Sequence, residues 1–313
     1  TINTLIGALA GDALTSGNSN VAVGFTALSA DTQGDRNVAI GNNALAQQNF
    51  TTSTDSYNVA IGYVAGGSVT TGVQNTIIGG LAGDAITDAD ANVALGYLAL
   101  SSNTVGSNSV AVGSAALQTQ NPATAADMYN VAVGHQAGKA VTTGNQNTLI
   151  GGLAGDALTS GTQNVALGYN ALNSDTLGTA SVALGRSALG AQNFTTATNA
   201  FNVAIGYTAG AAVTTGVNNT LIGASAGDAL TDADANVAIG QAALSTDTLG
   251  SQSVAIGASA LESQNFTTAT NSLNTAVGTA AGASVTTGIE NTFIGGLAGD
   301  ALTAVYYNVA LGA

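Results

Sequence analysis

A five-residue pattern, Asn-Val-Ala-Ile-Gly with small variations, recurs eighteen times along the 313 residues. Its glycines fall at Gly7, Gly24, Gly41, Gly62, Gly79 and Gly96 and continue in the same phase to Gly312. The spacings run 17, 17, 21 and 17, so four rungs make a 72-residue super-repeat. We label the rungs A to D, with A at Gly7. A repeat this short cannot bury an apolar face alone and must stack on its neighbours. No composition shift or linker interrupts the array. Residues 1–313 are therefore expected to form one continuous solenoid, cut inside the array at both ends.

Counting from the glycine, position −3 is Val or Thr and position −1 is aliphatic in every rung, with Ala at −2 in the B, C and D rungs. Alternation at period two, rich in β-branched residues, predicts a short strand. The bulky −3 and −1 side chains are expected to face the core, and −2 the opposite side. Position +3 is Ala wherever a rung reaches it, which predicts a tight corner. Position +4 is Leu in B and C rungs (Leu28, Leu45) and Gly in A and D rungs (Gly66, Gly83). Position +7 does the reverse, with Val69 and Ile86 in D and A but Asp31 and Gln48 in B and C. One large aliphatic side chain per rung entering a shared space is what close packing demands. Asn at −4, replaced by Ser109, Ser181 and Ser253, and Thr at +8 predict amide and hydroxyl ladders along the stack.

Composition narrows the function classes. Charged residues are 6% of the chain, with 3 Lys+Arg against 17 Asp+Glu and a net charge of −14, where ordinary domains carry roughly 25%. Three basic residues cannot neutralise a phosphate backbone, which excludes an electrostatic nucleic-acid binder. A polybasic lipid-docking patch is excluded on the same count. No apolar run is long enough for a spanning helix. There is no Cys, and the single His135 leaves little for acid–base chemistry. No catalytic residues, metal ligands or cofactor are assigned, and the chain is not expected to be an enzyme.

Ser109-Val110-Ala111-Val112-Gly113-Ser114-Ala115-Ala116 and Ser253-Val254-Ala255-Ile256-Gly257-Ala258-Ser259-Ala260 resemble the head repeats of trimeric autotransporter adhesins of the YadA-like type. Similar arrays occur in phage tail fibres and bacterial surface filaments. The resemblance covers the whole chain and implies an all-β fold, a left-handed parallel β-roll or β-solenoid, with three rolls side by side as a homotrimer. The strict 17/17/17/21 spacing departs from the adhesin heads. The residues also suggest an interface. Position −2, read as outward, is small in three rungs of four (Ala22, Ala39, Ala60) and large in A rungs (Leu5, Ile77, Leu149, Leu221, Phe293). An apolar outward stripe of this kind is expected to be buried against another chain.

Position +1 is aromatic in many B and D rungs, at Phe25, Tyr63, Tyr97, Tyr169 and Tyr207, with His135 in series. These are candidate ligand or partner contacts for sugars, set against the plainer reading that each ring covers a neighbouring glycine. The C-rung loops add Phe50, Tyr57, Phe194, Phe201 and Phe266 as candidate partner knobs, set against a loop that caps the roll edge. Asn49, Asn193 and Asn265 sit in Asn-Phe-Thr sequons. Asp88 and Asp90 read as solvated acidic turns rather than a calcium loop. Together these features predict a structural and adhesive extracellular fibre segment at a cell or virion surface. It would present loops to a host glycan or surface receptor and extend into a longer filament. A phage tail fibre or receptor-binding appendage is the alternative. An ice- or surface-binding solenoid, suggested by the +8 Thr column, is weakened by the irregular residues beside it.

Overall fold

The computed structural model describes residues 2–312, which contain strands and corners and no helix. The protein is an all-β parallel β-solenoid of eighteen rungs. It divides into two compact units, Thr1–Ser160 and Gly161–Ala313. In the first, nine three-residue strands run from Thr4–Ile6 to Thr148–Ile150; in the second, nine run from Val165–Leu167 to Val309–Leu311. Within each unit neighbouring strands pair in parallel with identical columns opposed, as in Ala22↔Ala39 and Ala39↔Ala60, or Ala183↔Ala204. The four extra residues of each C rung bow out before a two-residue strand such as Thr54–Asp55, which pairs with Gly34–Asp35.

The motif glycine is obligatory for two reasons. Gly41 has φ +133°, and a Cβ there would lie 2.3 Å from the Gly62 carbonyl oxygen of the next rung. Only glycine adopts this backbone conformation and permits this approach. At +4 the corner is left-handed whichever residue occupies it: Gly66 and Gly83 have φ 57° and 50°, Leu28 and Leu45 have 53° and 49°. A left-handed Leu costs about 1–2 kcal/mol, and full burial of its side chain contributes about 1.5–3 kcal/mol. Burial wins, and both leucines are wholly inaccessible.

The strand faces the opposite way from the sequence expectation. Ala22, Ala39, Ala60, Ile77, Leu149, Leu221 and Phe293 at −2 are 0% exposed inside the single chain, while −3 and −1 are the half-covered outer positions. These −2 residues are therefore core residues and cannot form an interface between copies. Leu5, in the first rung, is the exception at 41% exposed. The reason is volume. A rung of this length encloses room for two alanines, at −2 and +3, and one larger side chain, so the β-branched pair is turned outward.

The bulky −2 residues of A rungs have a specific berth. A Cβ on Gly66 would meet Ile77 Cδ1 at 2.9 Å, and one on Gly83 would meet it at 3.3 Å. Gly138 and Gly155 bracket Leu149, Gly210 and Gly227 bracket Leu221, and Gly282 and Gly299 bracket Phe293 in the same way. The +4 glycines of a D rung and its following A rung thus open space for one large −2 side chain between them. The expected +4/+7 exchange is present too, with Val69, Ile86, Val141, Leu158, Val213 and Leu230 buried at +7.

Buried asparagines lace the rungs together. Asn37 N–H donates to Asn20 Oδ1 at 2.8 Å, Asn58 N–H to Asn37 Oδ1 at 3.1 Å, and Asn75 N–H to Asn58 Oδ1 at 2.9 Å. Asn20, Asn58 and Asn75 also donate across the corner, as Asn20 Nδ2 does to the Gly34 carbonyl at 2.8 Å, while Asn37 Nδ2 donates to Asn20 Oδ1 at 3.2 Å. Both ends of the side chain are satisfied, which is the condition for holding a polar residue in a core.

Candidate functional site

The strand exit, immediately after the motif glycine, sets the +1 side chains in one column on the surface of each unit. In the first unit this column carries Phe25 at 52% exposure, Tyr63 at 60% and Tyr97 at 57%, followed by exposed His135. In the second it carries Tyr169 at 51% and Tyr207 at 53%. They recur on alternate rungs, roughly 9–10 Å apart at the parallel-strand spacing. The Tyr97 ring lies over Gly80 of the preceding rung, its Cδ2 3.7 Å from where a Cβ would stand. Tyr207 is held from the preceding rung, with Arg186 NH1 donating to its hydroxyl at 3.0 Å and the guanidinium 5.5 Å from the ring centroid. The column is thus both a cover for small residues and an exposed aromatic row.

The C-rung phenylalanines are not surface knobs. Phe50, Phe194 and Phe266 are 6%, 4% and 6% exposed. Each begins the bowed loop, and its backbone and ring are both used internally. Phe50 N–H donates to Asp31 Oδ1 at 3.2 Å; the same oxygen accepts Gly34 N–H at 3.0 Å, and Gln48 Nε2 donates to Oδ2 at 2.7 Å. Asp175 and Asp247 are held by equivalent donors. The Phe266 ring packs on Gly250, where a Cβ would come within 2.7 Å of Cδ2. These buried acids are structural: N–H donors alone satisfy them.

What does emerge from the C-rung shoulder is the residue at −5 of the following D rung. Tyr57 and Tyr129 in the first unit are 48% and 54% exposed, and Phe201 and Leu273 in the second are 54% and 48%. All four are left-handed, with φ between 49° and 52°. Tyr57 accepts from Arg36 NH1 at 3.1 Å, and Arg36 also pairs with Asp55. Tyr129 donates to Asp127 Oδ2 at 3.1 Å. Of the five loop aromatics expected from the sequence, Tyr57 and Phe201 turn outward and Phe50, Phe194 and Phe266 turn inward; which one turns inward depends on the backbone corner.

The remaining polar columns are largely consumed within the stack. The +8 hydroxyls donate to the next rung, Thr70 to the Thr87 carbonyl and Thr87 to the Thr104 carbonyl, both at 3.1 Å. Asp90 Oδ1 accepts Val73 N–H at 2.8 Å, and Asp234 Oδ1 accepts Val217 N–H at 2.7 Å. Asp84, Asp156 and Asp228, at +5 of A rungs, differ: burial pushes their carboxyls above the ordinary carboxylate range. Lys139 opposes this at Asp156, and the Ser225 hydroxyl opposes it at Asp228. Asp84 Oδ1 and Asp156 Oδ1 are buried without a partner. Among the described residues no three His, Cys, Asp or Glu side chains gather closely enough to hold a metal ion. Comparison with family models, curated proteins and solved structures finds no match to this chain.

Proposed function

We propose that this chain is a structural segment of an extracellular fibre, assembled as a homotrimer, whose exposed columns and loops make attachments to a cell or other surface. The observation that supports this reading most directly is the sameness of its rungs. Every rung repeats the same strand, the same glycine approach and nearly the same buried amide contacts. The conserved columns are spent on joining one rung to the next. Such ladders resist local opening, because an inner strand is paired with the rungs both above and below it. The exposed Tyr63, Tyr97 and Tyr207 then supply aromatic surface of the kind that stacks on sugars. A phage appendage would use the same mechanics on a virion.

Negative-stain electron microscopy of the purified protein is expected to show elongated particles of uniform width, with strong resistance to a non-specific protease. Compact round particles that digest readily would remove the fibre reading. Attachment is tested separately: Tyr63→Ser with Tyr97→Ser is expected to weaken binding to a glycan-coated surface at least fivefold without changing thermal stability.

A further inference from the structure

We propose that the second C-rung shoulder, built by Asp127 and Tyr129, captures an arginine side chain of a partner protein. The site is separate from the +1 row and stands whether or not copies of the chain assemble.

The protein itself shows what such a shoulder holds. At the first shoulder Thr54–Asp55 pairs with Gly34–Asp35, and Arg36 follows directly. The Arg36 guanidinium lies 5.4 Å from the centroid of the Tyr57 ring. Its NH1 donates to the Tyr57 hydroxyl at 3.1 Å and pairs with the Asp55 carboxylate. One planar cation thus meets a ring face, a hydroxyl and a carboxylate at once, a combination that suits guanidinium better than ammonium. Arg186 lies against Tyr207 in the second unit in a related way, 5.5 Å from the ring centroid.

The second shoulder repeats this receptor and omits the arginine. Ala126–Asp127 pairs with Gly106–Ser107 in the same register. Tyr129 has the backbone of Tyr57, with φ 51° against 50°, and Asn108 has that of Arg36, with φ 60° against 62°. Acid and ring therefore stand in the columns of Asp55 and Tyr57, and Asn108 stands in the arginine column. Asn108 Nδ2 donates to Asp127 Oδ1 at 2.7 Å, and the Tyr129 hydroxyl donates to Oδ2 at 3.1 Å. Both donors are neutral, and a carboxylate offers about four acceptor positions, so charge and acceptor capacity remain. Asp127 is exposed and Tyr129 is 54% exposed. Exposed Asp90 adds a second negative charge one rung away, its carbonyl accepting Asn108 N–H at 3.0 Å.

The chain has three basic residues. Arg36 is engaged at the first shoulder, Lys139 acts on Asp156, and Arg186 lies on Tyr207 in the second unit. The other two shoulders, Asn199 with Phe201 and Asn271 with Leu273, have neither acid nor hydroxyl. Where the hydroxyl is lost the acid is lost with it, so the two work as a pair. A net charge of −14 draws cationic segments toward the chain, and this pair gives one of their side chains a defined seat.

The probe is an acetylated and amidated Gly-Gly-Arg-Gly-Gly peptide, titrated into protein carrying 3-fluorotyrosine and read by fluorine NMR. Tyr57→Phe and Tyr129→Phe assign the two resonances. Contacts this exposed are individually weak, so a millimolar midpoint is expected, with a shift at Tyr129 and none at Tyr57. Asn108→Arg fills the second shoulder from within and is expected to abolish the Tyr129 shift. Arg36→Asn empties the first and is expected to add a Tyr57 shift. Asp127→Asn is expected to weaken binding at least about threefold. Each of these three substitutions installs a residue that another super-repeat already carries in that column, which keeps the fold. Equal shifts at all eight tyrosines would mean diffuse attraction to an acidic chain and would overturn the site. So would an undiminished Tyr129 shift with citrulline in place of arginine, or no Tyr129 shift in the unmodified protein.

Discussion

Asn103 shows how far individual side chains in this protein are tied to one another. Three of the four super-repeats place Asp at this column, in Asp31, Asp175 and Asp247, and Phe at the start of the bowed loop, in Phe50, Phe194 and Phe266. The remaining one has Asn103 with Pro122. Proline has no N–H, so the carboxylate would lose one of its donors. A neutral amide stands there instead, with Asn103 Oδ1 accepting Gly106 N–H at 3.0 Å and its Nδ2 donating to the Gly106 carbonyl at 2.6 Å. The volume of the missing ring is made up by Met128, 1% exposed, where the other super-repeats have Ser56, Ala200 and Ser272. Met128 Cγ and Pro122 Cδ both press on Gly106, at 3.1 and 3.0 Å from its would-be Cβ. Phe50→Pro alone is expected to cost about 2–4 kcal/mol, from a lost ring and an under-satisfied carboxylate. Adding Asp31→Asn and Ser56→Met is expected to recover more than half of that in urea unfolding. Additive losses across the three substitutions would show that the columns are independent. Gly113→Ala offers a simpler check. Its Cβ would stand 2.3 Å from the Gly134 carbonyl oxygen at φ +137°, and a loss of at least ~2 kcal/mol is expected.

At the level of the rung, the strand, its length, its corners and its shared core space were all legible in the columns, because each leaves a compositional trace. The phase of the strand was not. Alternation fixes which residues share a face, and a shift of one exchanges the faces entirely. Reading β-branched bulk as core is sound for a broad sandwich and fails in a narrow rung, where Ala22 and Ala39 fit and Val21 and Val38 do not. Two traces pointed the other way. Acidic residues avoid the flanks of the −3 and −1 columns, and each bulky −2 residue after Leu5 coincides with a pair of +4 glycines. The A-rung aspartates give a pH signature at this scale. Burial raises the folded-state pKa of Asp84, Asp156 and Asp228 above the ordinary value near 3.8. The folded state therefore binds these protons more tightly than the unfolded chain. Their contribution to stability is most favourable below the unfolded pKa and is lost as pH rises through the folded one. Asp84→Asn is expected to raise the melting temperature at pH 7, with the gain shrinking toward zero below pH ~3.5. A gain that persists unchanged in acid would assign it to a contact other than the carboxyl's ionisation.

Across the whole molecule, charge and apolar surface are kept apart. Asp31, Asp175 and Asp247 are wholly buried, whereas exposed acids such as Asp55, Asp88 and Asp232 stand on corners and loops, where like charges repel through water and salt screens them. Between −4 and +3 of the rungs there is no Asp, Glu or Lys, and Arg186 at +1 is the single charged residue. Raising ionic strength is therefore expected to leave the proposed association of copies unchanged or to strengthen it, since loop repulsion is being screened; sedimentation at 20 mM and 500 mM salt would read this. Dissociation by salt would mean that charged loops hold the proposed assembly together.

The berth that Gly66 and Gly83 make for Ile77 also governs how such a gene can change length. Removing residues 67–138 takes out one full super-repeat, with Asn103, Pro122 and Met128 leaving together, and Gly66 then meets Leu149 in place of Ile77. Removing residues 67–83 takes out the length of one rung, and Gly66 loses the side chain that fills its space. The first deletion is expected to melt close to the parent in a thermal scan, and the second well below it. Unequal recombination would then leave viable products only at multiples of four rungs. Heredity in such an array would count in steps of 72 codons although the fold counts in rungs of 17.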